Sequence, residues 1–397
     1  MMKHHADAQS DRLQSCPQKE KGDAQDSTRE HRVEPSRETK KQRGPVAVTV
    51  AQLAEFDEMI DVRSEGEYAD DHIPGAVNCP VLGDAEHARV GTLYKQTSSF
   101  DAKRLGAALV SFNVARHLSE RFHDRPRTWR PLVYCWRGGG RSAALAHVLA
   151  QVGWRVGQLE GGYKAFRREV VNALEILPRS FSWQVVCGLT GTGKSRLLRE
   201  LGRAGAQVLD LEALAAHRGS VLGNMPDEPQ PTQKMFESLV WTELRRFDRA
   251  RPVFVESESR KIGRLRVPEA LIDAMWSSEC VVLDAPLAVR VELLKGEYSH
   301  YLSQPELLGS QLACLTTLHG RDVIERWGRM AHEAQWSALV EELLVKHYDP
   351  AYTRSTLKHY PHLERAFRYA VAHATDSAFA TLAAAVIERI DPLSAPA

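Results

Sequence analysis

The hydrophobic pattern changes character three times along the chain. Residues 1–45 carry almost no large apolar side chains and mix Gln, Lys, Glu, Asp, Arg and Ser. Such a stretch cannot bury enough surface to offset chain entropy, and a disordered tail is expected there. From Val46 to about residue 175, short apolar runs alternate with helical periodicity. MIDVR (59–63) and PLVYC (131–135) predict buried strands; 102–118 and 142–153 predict helices, the second stopped by Gly153. A second alternation opens at Phe181: strand WQVVC, helix KSRLLRELG, strand QVLDL, a long helix over 232–249, strand PVFVES, then strand CVVLDAP with a helix after it. Beyond about residue 320 the pattern is helical and no further strand is expected. Strands alternating with helices imply parallel sheets covered on both faces. The expected fold class is therefore α/β: one parallel-sheet domain over 46–175, a second over 176–320, and a helical C-terminal region over 321–397.

Composition narrows the class. Hydrophobic residues make up 43% of the 397 and charged residues 26%, enough for real cores and for solubility. No stretch reaches the roughly 18 apolar residues of a membrane helix, and the first residues lack the apolar run of a secretion signal. The six cysteines (Cys16, Cys79, Cys135, Cys187, Cys280, Cys314) form no CxxC pair, which argues against a zinc ribbon or disulfide framework and fits a reducing, cytoplasmic setting. Net charge is only +1, but residues 101–200 hold 17 Lys/Arg against 7 Asp/Glu, so the remainder of the chain is acidic. A basic centre suits a phosphate-rich partner; it equally suits a solvated face with a few arginines serving small anions.

Two loops carry candidate chemistry. Cys135-Trp-Arg-Gly-Gly-Gly-Arg141-Ser142 lies between a buried strand and a helix. Gly138, Gly139 and Gly140 let backbone N–H groups converge, the helix N-terminus adds its positive dipole end, and Arg137 and Arg141 stand nearby. A thiol at the mouth of such a loop is expected to favour the nucleophilic thiolate; a buried strand-end cysteine before a helix-entry turn is the simpler alternative. Cys79 and Cys187 lack such surroundings and read as packing residues. Farther on, Gly188-Leu-Thr190-Gly191-Thr192-Gly193-Lys194-Ser195 matches G-x4-G-K-[ST] with the required strand before and helix after. Its amides wrap a diphosphate, Lys194 reaches the terminal oxygens, and Ser195 offers an oxygen to a divalent metal. Glu256 and Glu258, on the acidic strand expected to face this loop, are candidate metal or general-base carboxylates, although Glu258 also suits an ion pair with Arg260 or Lys261.

With Asp61-Val-Arg63, Glu67-Tyr68 and His72-Ile-Pro-Gly75-Ala76, the cysteine loop resembles that of a rhodanese domain over about 46–175. Common rhodanese loops put four residues between Cys and Arg, whereas this one has five, a wider cradle that admits a phosphate-like group such as selenophosphate as readily as a sulfane donor. Further stretches carry a more specific likeness: Asp210-Leu-Glu212 with His217-Arg218-Gly219-Ser220, Gln230-Pro-x-Gln233-Lys, Glu256-x-Glu258-Ser-Arg260-x-Ile-Gly263, Tyr348-Asp-Pro-x-Tyr352, Gly91-Thr-Leu-Tyr94-Lys and Gly161-Gly-Tyr-Lys164-x-Phe-Arg167-Arg168. Over nearly all of 46–360 the chain resembles the tRNA 2-selenouridine synthase family, a rhodanese-like domain followed by a P-loop NTPase-like domain. Gly140 stands where many relatives are expected to carry a larger residue.

The resemblance implies a transferase acting on the wobble uridine of tRNA already carrying 2-thiouridine. Sulfur is first S-geranylated from geranyl diphosphate and then replaced by selenium from selenophosphate. It implies Cys135 as selenium carrier with Arg137 to Arg141 as the donor cradle, and the 188–195 loop as the diphosphate site. Asp210, Glu212, Glu256 and Glu258 become acid–base or metal-facing candidates, and Lys164, Arg167, Arg168, Arg218 and Arg260 become tRNA contacts. No tightly bound cofactor is expected, a divalent metal such as Mg has a place, and no membrane partner is implied. The residues lining an apolar groove for the geranyl chain are not evident from sequence. Two other classes fit the same residues: an ATP-using sulfurtransferase or kinase, marked by ATP turnover, and a non-enzymatic nucleotide-dependent regulator, marked by a chemically silent Cys135. A Cys-x5-Arg phosphatase fits less well, because Tyr134 stands where tyrosine phosphatases carry histidine.

Overall fold

The structure, a computed structural model, describes residues 44–225, 228–361 and 363–391, without the side chains of 355–358. The tail expected over 1–45 lies, except for its last two residues, outside the described residues. Two five-stranded sheets, each wholly parallel, organise the rest. The first contains β1 (Val46–Val48), β2 (Glu58–Asp61), β3 (Val77–Asn78), β4 (Pro131–Tyr134) and β5 (Gly157–Leu159), in the order β1-β5-β4-β2-β3. All four residues of β4 are buried, as an unbroken apolar run demands of a strand covered on both faces. The helix Gly140–Val152 follows it and is closed by Gly153 in the left-handed conformation at φ 115°.

The second sheet is built from β6 (Trp183–Cys187), β7 (Gln207–Leu209), β8 (Val253–Glu256), β11 (Glu279–Asp284) and β12 (Phe367–Ala370), in the order β12-β11-β6-β8-β7. A short antiparallel hairpin, β9 (Lys261–Ile262) and β10 (Leu265–Arg266), follows β8. The helix expected over 232–249 is Gln233–Leu244, its N-terminus capped by Thr232, whose hydroxyl accepts the Met235 N–H at 3.1 Å. Between β11 and β12 the chain folds into a run of short helices with a core of its own around Trp327, Leu312 and Leu339.

The C-terminal region corrects the expectation of helix alone. β12 pairs in parallel with β11 from Val281↔Phe367 to Asp284↔Ala370 and forms one edge of the sheet. It is four residues long and mostly exposed, so its order comes from the ladder and not from an apolar pattern. The last helix, Asp376–Ile390, then packs Phe379, Ala383, Val386 and Ile387 against Leu197, Leu198 and Leu201 of the helix Lys194–Arg203. Phe379 is 1% exposed, and its ring occupies the space where a side chain at Gly193 would project. Phe379→Ala is expected to lower unfolding free energy by about 3–5 kcal/mol, read from the urea midpoint at constant m-value.

One apolar core runs from the first sheet into the second. Tyr163, Phe166, Val170 and Leu174 of the helix Gly162–Ile176 meet Phe236, Val240 and Trp241, with Phe166 and Trp241 edge to face at 5.3 Å. Around it, Lys234 pairs with Asp70 at 2.6 Å, and the buried Asp71 carboxylate accepts from Tyr163 Oη at 2.8 Å and from Ser238 Oγ at 3.2 Å. Among the described residues no helix is long and apolar enough to cross a membrane.

Candidate active site

Cys135 stands one residue past β4, at the floor of its loop and 4% exposed. Its Sγ lies 3.3 Å from Ser142 Oγ, in the first turn of the following helix. Gln158 Nε2 donates to Ser142 Oγ at 3.1 Å and to the Gly138 carbonyl at 2.9 Å, so β5 braces the loop from beneath. The helix N-terminus directs unpaired N–H groups toward the same space. The Gly161–Gly162 turn seals the back: Tyr163 N–H donates to Cys135 O at 2.8 Å and Lys164 N–H to Trp136 O at 3.0 Å. Gly162 has φ 56°, and a Cβ there would collide with the Cys135 carbonyl and the Gly138 nitrogen, so the close approach requires glycine.

Of the two loop arginines, Arg137 is exposed whereas Arg141 is pinned by Glu67 in a two-point ion pair at 2.6 and 3.2 Å. Burial alone would raise the Glu67 carboxyl; the paired guanidinium holds it below its ordinary value. Arg141 therefore shapes the rim instead of pointing freely at the sulfur. The rhodanese-type residues Asp61 and Arg63 form a buried pair at 2.6 Å; Arg63 also donates to Asp71 O at 2.6 Å and lies 4.0 Å from the Tyr163 ring centre. Both arginine and carboxylate serve the frame under the loop.

The phosphate loop follows β6 and opens on a cavity of about 620 Å³, within the usual range for small-ligand sites. Lys194 Nζ donates to Gly188 O at 3.0 Å, lies 3.5 Å from Glu256 and sits 5.5 Å from the Tyr352 ring centre. Ser195 Oγ donates toward Glu256 at 2.8 Å and lies 3.2 Å from Glu212. Carboxylate oxygens of Glu212, Glu256 and Glu258 all fall within 4.8 Å of one another. Burial, then mutual repulsion, pushes Glu212 and Glu258 well above the ordinary carboxylate range, and burial also raises Glu256 against the pull of Lys194. Burial alone would lower Lys194, but Glu256, Tyr352 and Glu212 raise it, so the ammonium stays charged. Three crowded carboxylates beside the loop serine are a hard-oxygen donor set that suits Mg²⁺. Glu212, Glu256, Glu258 and Ser195 would hold it, and it would supply positive charge to a bound polyphosphate.

The remaining candidates separate by position. Asp210 accepts the Ala213 N–H at 2.9 Å and caps the short helix Leu211–Leu214. Thr192 is buried with its hydroxyl on Leu189 O, and Thr190 gives its carbonyl to Arg290 Nε at 2.8 Å. Arg290 in turn pairs with Asp349, clamping the loop to the helical region. Arg290 carried no sequence signal, and Asp349 stood only inside the Tyr348-Asp-Pro-x-Tyr352 stretch. Tyr352 Oη accepts the Gly188 N–H at 2.7 Å. Glu258 makes no ion pair with Arg260, which pairs with Glu269 at 3.5 Å and stacks 4.9 Å from the Trp276 ring centre. Arg218 lines the phosphate cavity, 5.0 Å from the Tyr298 ring centre. Lys164 and Arg168 are exposed, but Arg167 is engaged across the domain boundary by Glu237 and by Lys234 O, so its charge is already answered.

A thiol in a six-residue cradle on one parallel sheet and a phosphate loop on the next define a rhodanese-like domain joined to a P-loop domain. Residues 47–169 match the rhodanese-like domain family and residues 181–311 the tRNA 2-selenouridine synthase AAA domain family. Two proteins named tRNA 2-selenouridine synthase illustrate the likeness. That of Nitrosomonas europaea is 34% identical over 291 residues, 71% of this chain and 74% of the relative. That of Aeromonas salmonicida is 33% identical over 324 residues, 74% of this chain and 86% of the relative. The chain belongs to the tRNA 2-selenouridine synthase family.

Proposed function

We propose that the chain converts 2-thiouridine to 2-selenouridine at the wobble position of tRNA in two transfers, one at each loop. In the first, the C1–O bond of geranyl diphosphate breaks and C1 bonds to the thiocarbonyl sulfur. Diphosphate departs and the base gives up its N3 proton. S-alkylation turns a poor leaving group into a thiol leaving group on an electron-poor carbon. In the second, selenium takes the place of the geranylthio group, which leaves as geranylthiol. Selenophosphate carries selenium at the selenide level, so with water taking the phosphoryl group the exchange needs no oxidant.

The observation that carries this reading is the mixed lining of the phosphate cavity. Lys194 and the loop amides meet the charge that develops on departing diphosphate, while Leu294, Tyr298 and Tyr348 in the same lining offer apolar surface to the group transferred. Cys135 in its wide cradle is the nucleophile of the exchange: its thiolate attacks phosphorus of selenophosphate and the P–Se bond breaks, Arg137 and the glycine amides receiving the phosphoryl end of the donor. The hydroselenide released displaces geranylthiol from C2 of the base, and water then frees the thiol as phosphate leaves. The test uses the purified full chain, a 2-thiouridine anticodon stem-loop and geranyl diphosphate. Diphosphate release with formation of the S-geranyl nucleoside, converted to 2-selenouridine on adding selenophosphate, is the expected result. ATP turnover with no alkylated nucleoside would support the kinase-like alternative instead.

The tRNA backbone is assigned to the exposed Lys164 and Arg168 beside the cysteine loop. Each single-strand phosphate contact contributes about −0.7 to the log–log salt slope, so replacing both by alanine should flatten that slope by roughly 1–1.5 and weaken all tRNAs alike. An unchanged slope in filter binding would move the interface to the Arg260–Arg266 hairpin.

A further inference from the structure

A second cavity adjoins the phosphate cavity and differs from it in chemistry. The two share Thr190, Leu294, Tyr298 and Tyr348 as common walls. Beyond them the second is lined by Leu308 of the helix Pro305–Leu312, by Trp336, Leu339 and Leu343 of the helix Trp336–Leu343, both between β11 and β12, and by Leu222 from a turn between β7 and β8. Several of the polar groups around it are answered elsewhere. Tyr298 Oη meets Ser220 Oγ at 3.3 Å, Tyr301 Oη donates to Leu222 O at 3.2 Å, and Lys295 Nζ reaches Glu292 at 2.9 Å and Ser337 at 3.2 Å. What faces the space is ring and aliphatic carbon.

Such a recess selects its occupant. Water needs two to four polar partners to be held in a cavity, and this lining is almost wholly apolar. A nucleobase would bring several donors and acceptors whose burial without partners costs free energy each time. A hydrocarbon chain loses nothing and gains the apolar contact. The recess measures about 60 Å³, room for the branched end of a short chain and not for its length, the rest of which would lie along Thr190, Leu294, Tyr298 and Tyr348 toward the phosphate loop.

We infer that this recess seats the far end of the hydrocarbon chain of an allylic diphosphate whose head lies at the phosphate loop, and that it sets the chain length accepted. The inference rests on the proposed prenyl transfer and adds to it the residues that read the tail. Leu308 and Leu343, both 5% exposed, lie in the recess and outside the phosphate cavity, so they alter the tail site without touching the diphosphate site.

The test compares geranyl and farnesyl diphosphate, ten and fifteen carbons long, with inorganic diphosphate as the headgroup control, on the full chain and on Leu343→Phe and Leu308→Ala. Size discrimination by an apolar pocket is worth about 10–200-fold. Filling the recess with Leu343→Phe should weaken geranyl diphosphate binding at least tenfold in calorimetry and leave inorganic diphosphate unchanged. Opening it with Leu308→Ala should shift the farnesyl-to-geranyl ratio of kcat/KM upward by at least tenfold. Either variant decides the question if the other fails to fold by circular dichroism. Transfer by wild type with the ratio and the binding unmoved in the variants would overturn the recess and leave the proposed reaction standing. Tail-dependent binding lost in Leu343→Phe, but no transfer to tRNA by wild type, would support the recess and overturn the proposed reaction.

Discussion

Cys135→Ala should abolish 2-selenouridine formation while S-geranyl-2-thiouridine accumulates. The sulfur is the one nucleophile at the floor of its cradle, with the Ser142 hydroxyl as its neighbour and backbone groups around it. Removing it leaves most of the loop's hydrogen bonds in place, because they run through the Cys135 carbonyl, Ser142 and Gln158, and the thiol adds only its contacts with Ser142 Oγ at 3.3 Å and Gly139 O at 3.9 Å. The proposed geranyl transfer uses the phosphate loop of the second sheet and should proceed near the wild-type rate. Liquid chromatography with mass detection of digested tRNA separates the two nucleosides. Selenation at the normal rate by the variant would contradict the assignment of Cys135.

Lys194→Ala should have the opposite signature. Its ammonium is the cation placed at the loop among Glu256, Tyr352 and Glu212, and in the proposed transfer it meets the charge that develops as diphosphate leaves. Loss of one strong transition-state donor costs on the order of 10²–10³ in rate, so geranyl transfer should fall at least a hundredfold. Selenation of tRNA geranylated beforehand should fall far less. Removing the lysine also leaves the buried carboxylates Glu212, Glu256 and Glu258 without their counter-ion, a charge cost that is met by protonation or by lowered stability. Urea unfolding of the variant therefore accompanies the kinetics. Equal loss of both half-reactions in a folded variant would argue for one shared site.

The parts of this molecule that were legible in the sequence are those written locally. G-x4-G-K-S between a strand and a helix names its own geometry, and Cys135 through Ser142 does so nearly as well, because in each case consecutive residues build the site. Runs such as PLVY and WQVVC report burial on both faces directly. The four residues of β12 carry no such record: they are mostly exposed, and their order comes from pairing with β11 more than eighty residues away. The same holds for Arg167, whose sequence setting suggests a solvent-facing charge and whose partner Glu237 lies in another domain. The apolar recess is the extreme case. Leu222, Leu294, Leu308, Leu339 and Leu343 each read as ordinary core leucines, and only their convergence from separate elements makes a cavity beside the phosphate loop. The Glu212, Glu256 and Glu258 cluster falls between these limits, since two members share one strand end and the third comes from the short helix Leu211–Leu214 after β7.

The central claim is that one chain carries both transfers on tRNA, and nucleoside mass spectrometry of tRNA from selenium-grown cells with and without it tests that claim most directly. The account predicts 2-selenouridine only in cells that carry the chain, 2-thiouridine persisting in those that lack it, and the S-geranyl intermediate building up when the lacking cells are given Cys135→Ala. Undiminished 2-selenouridine in cells without the chain would contradict it.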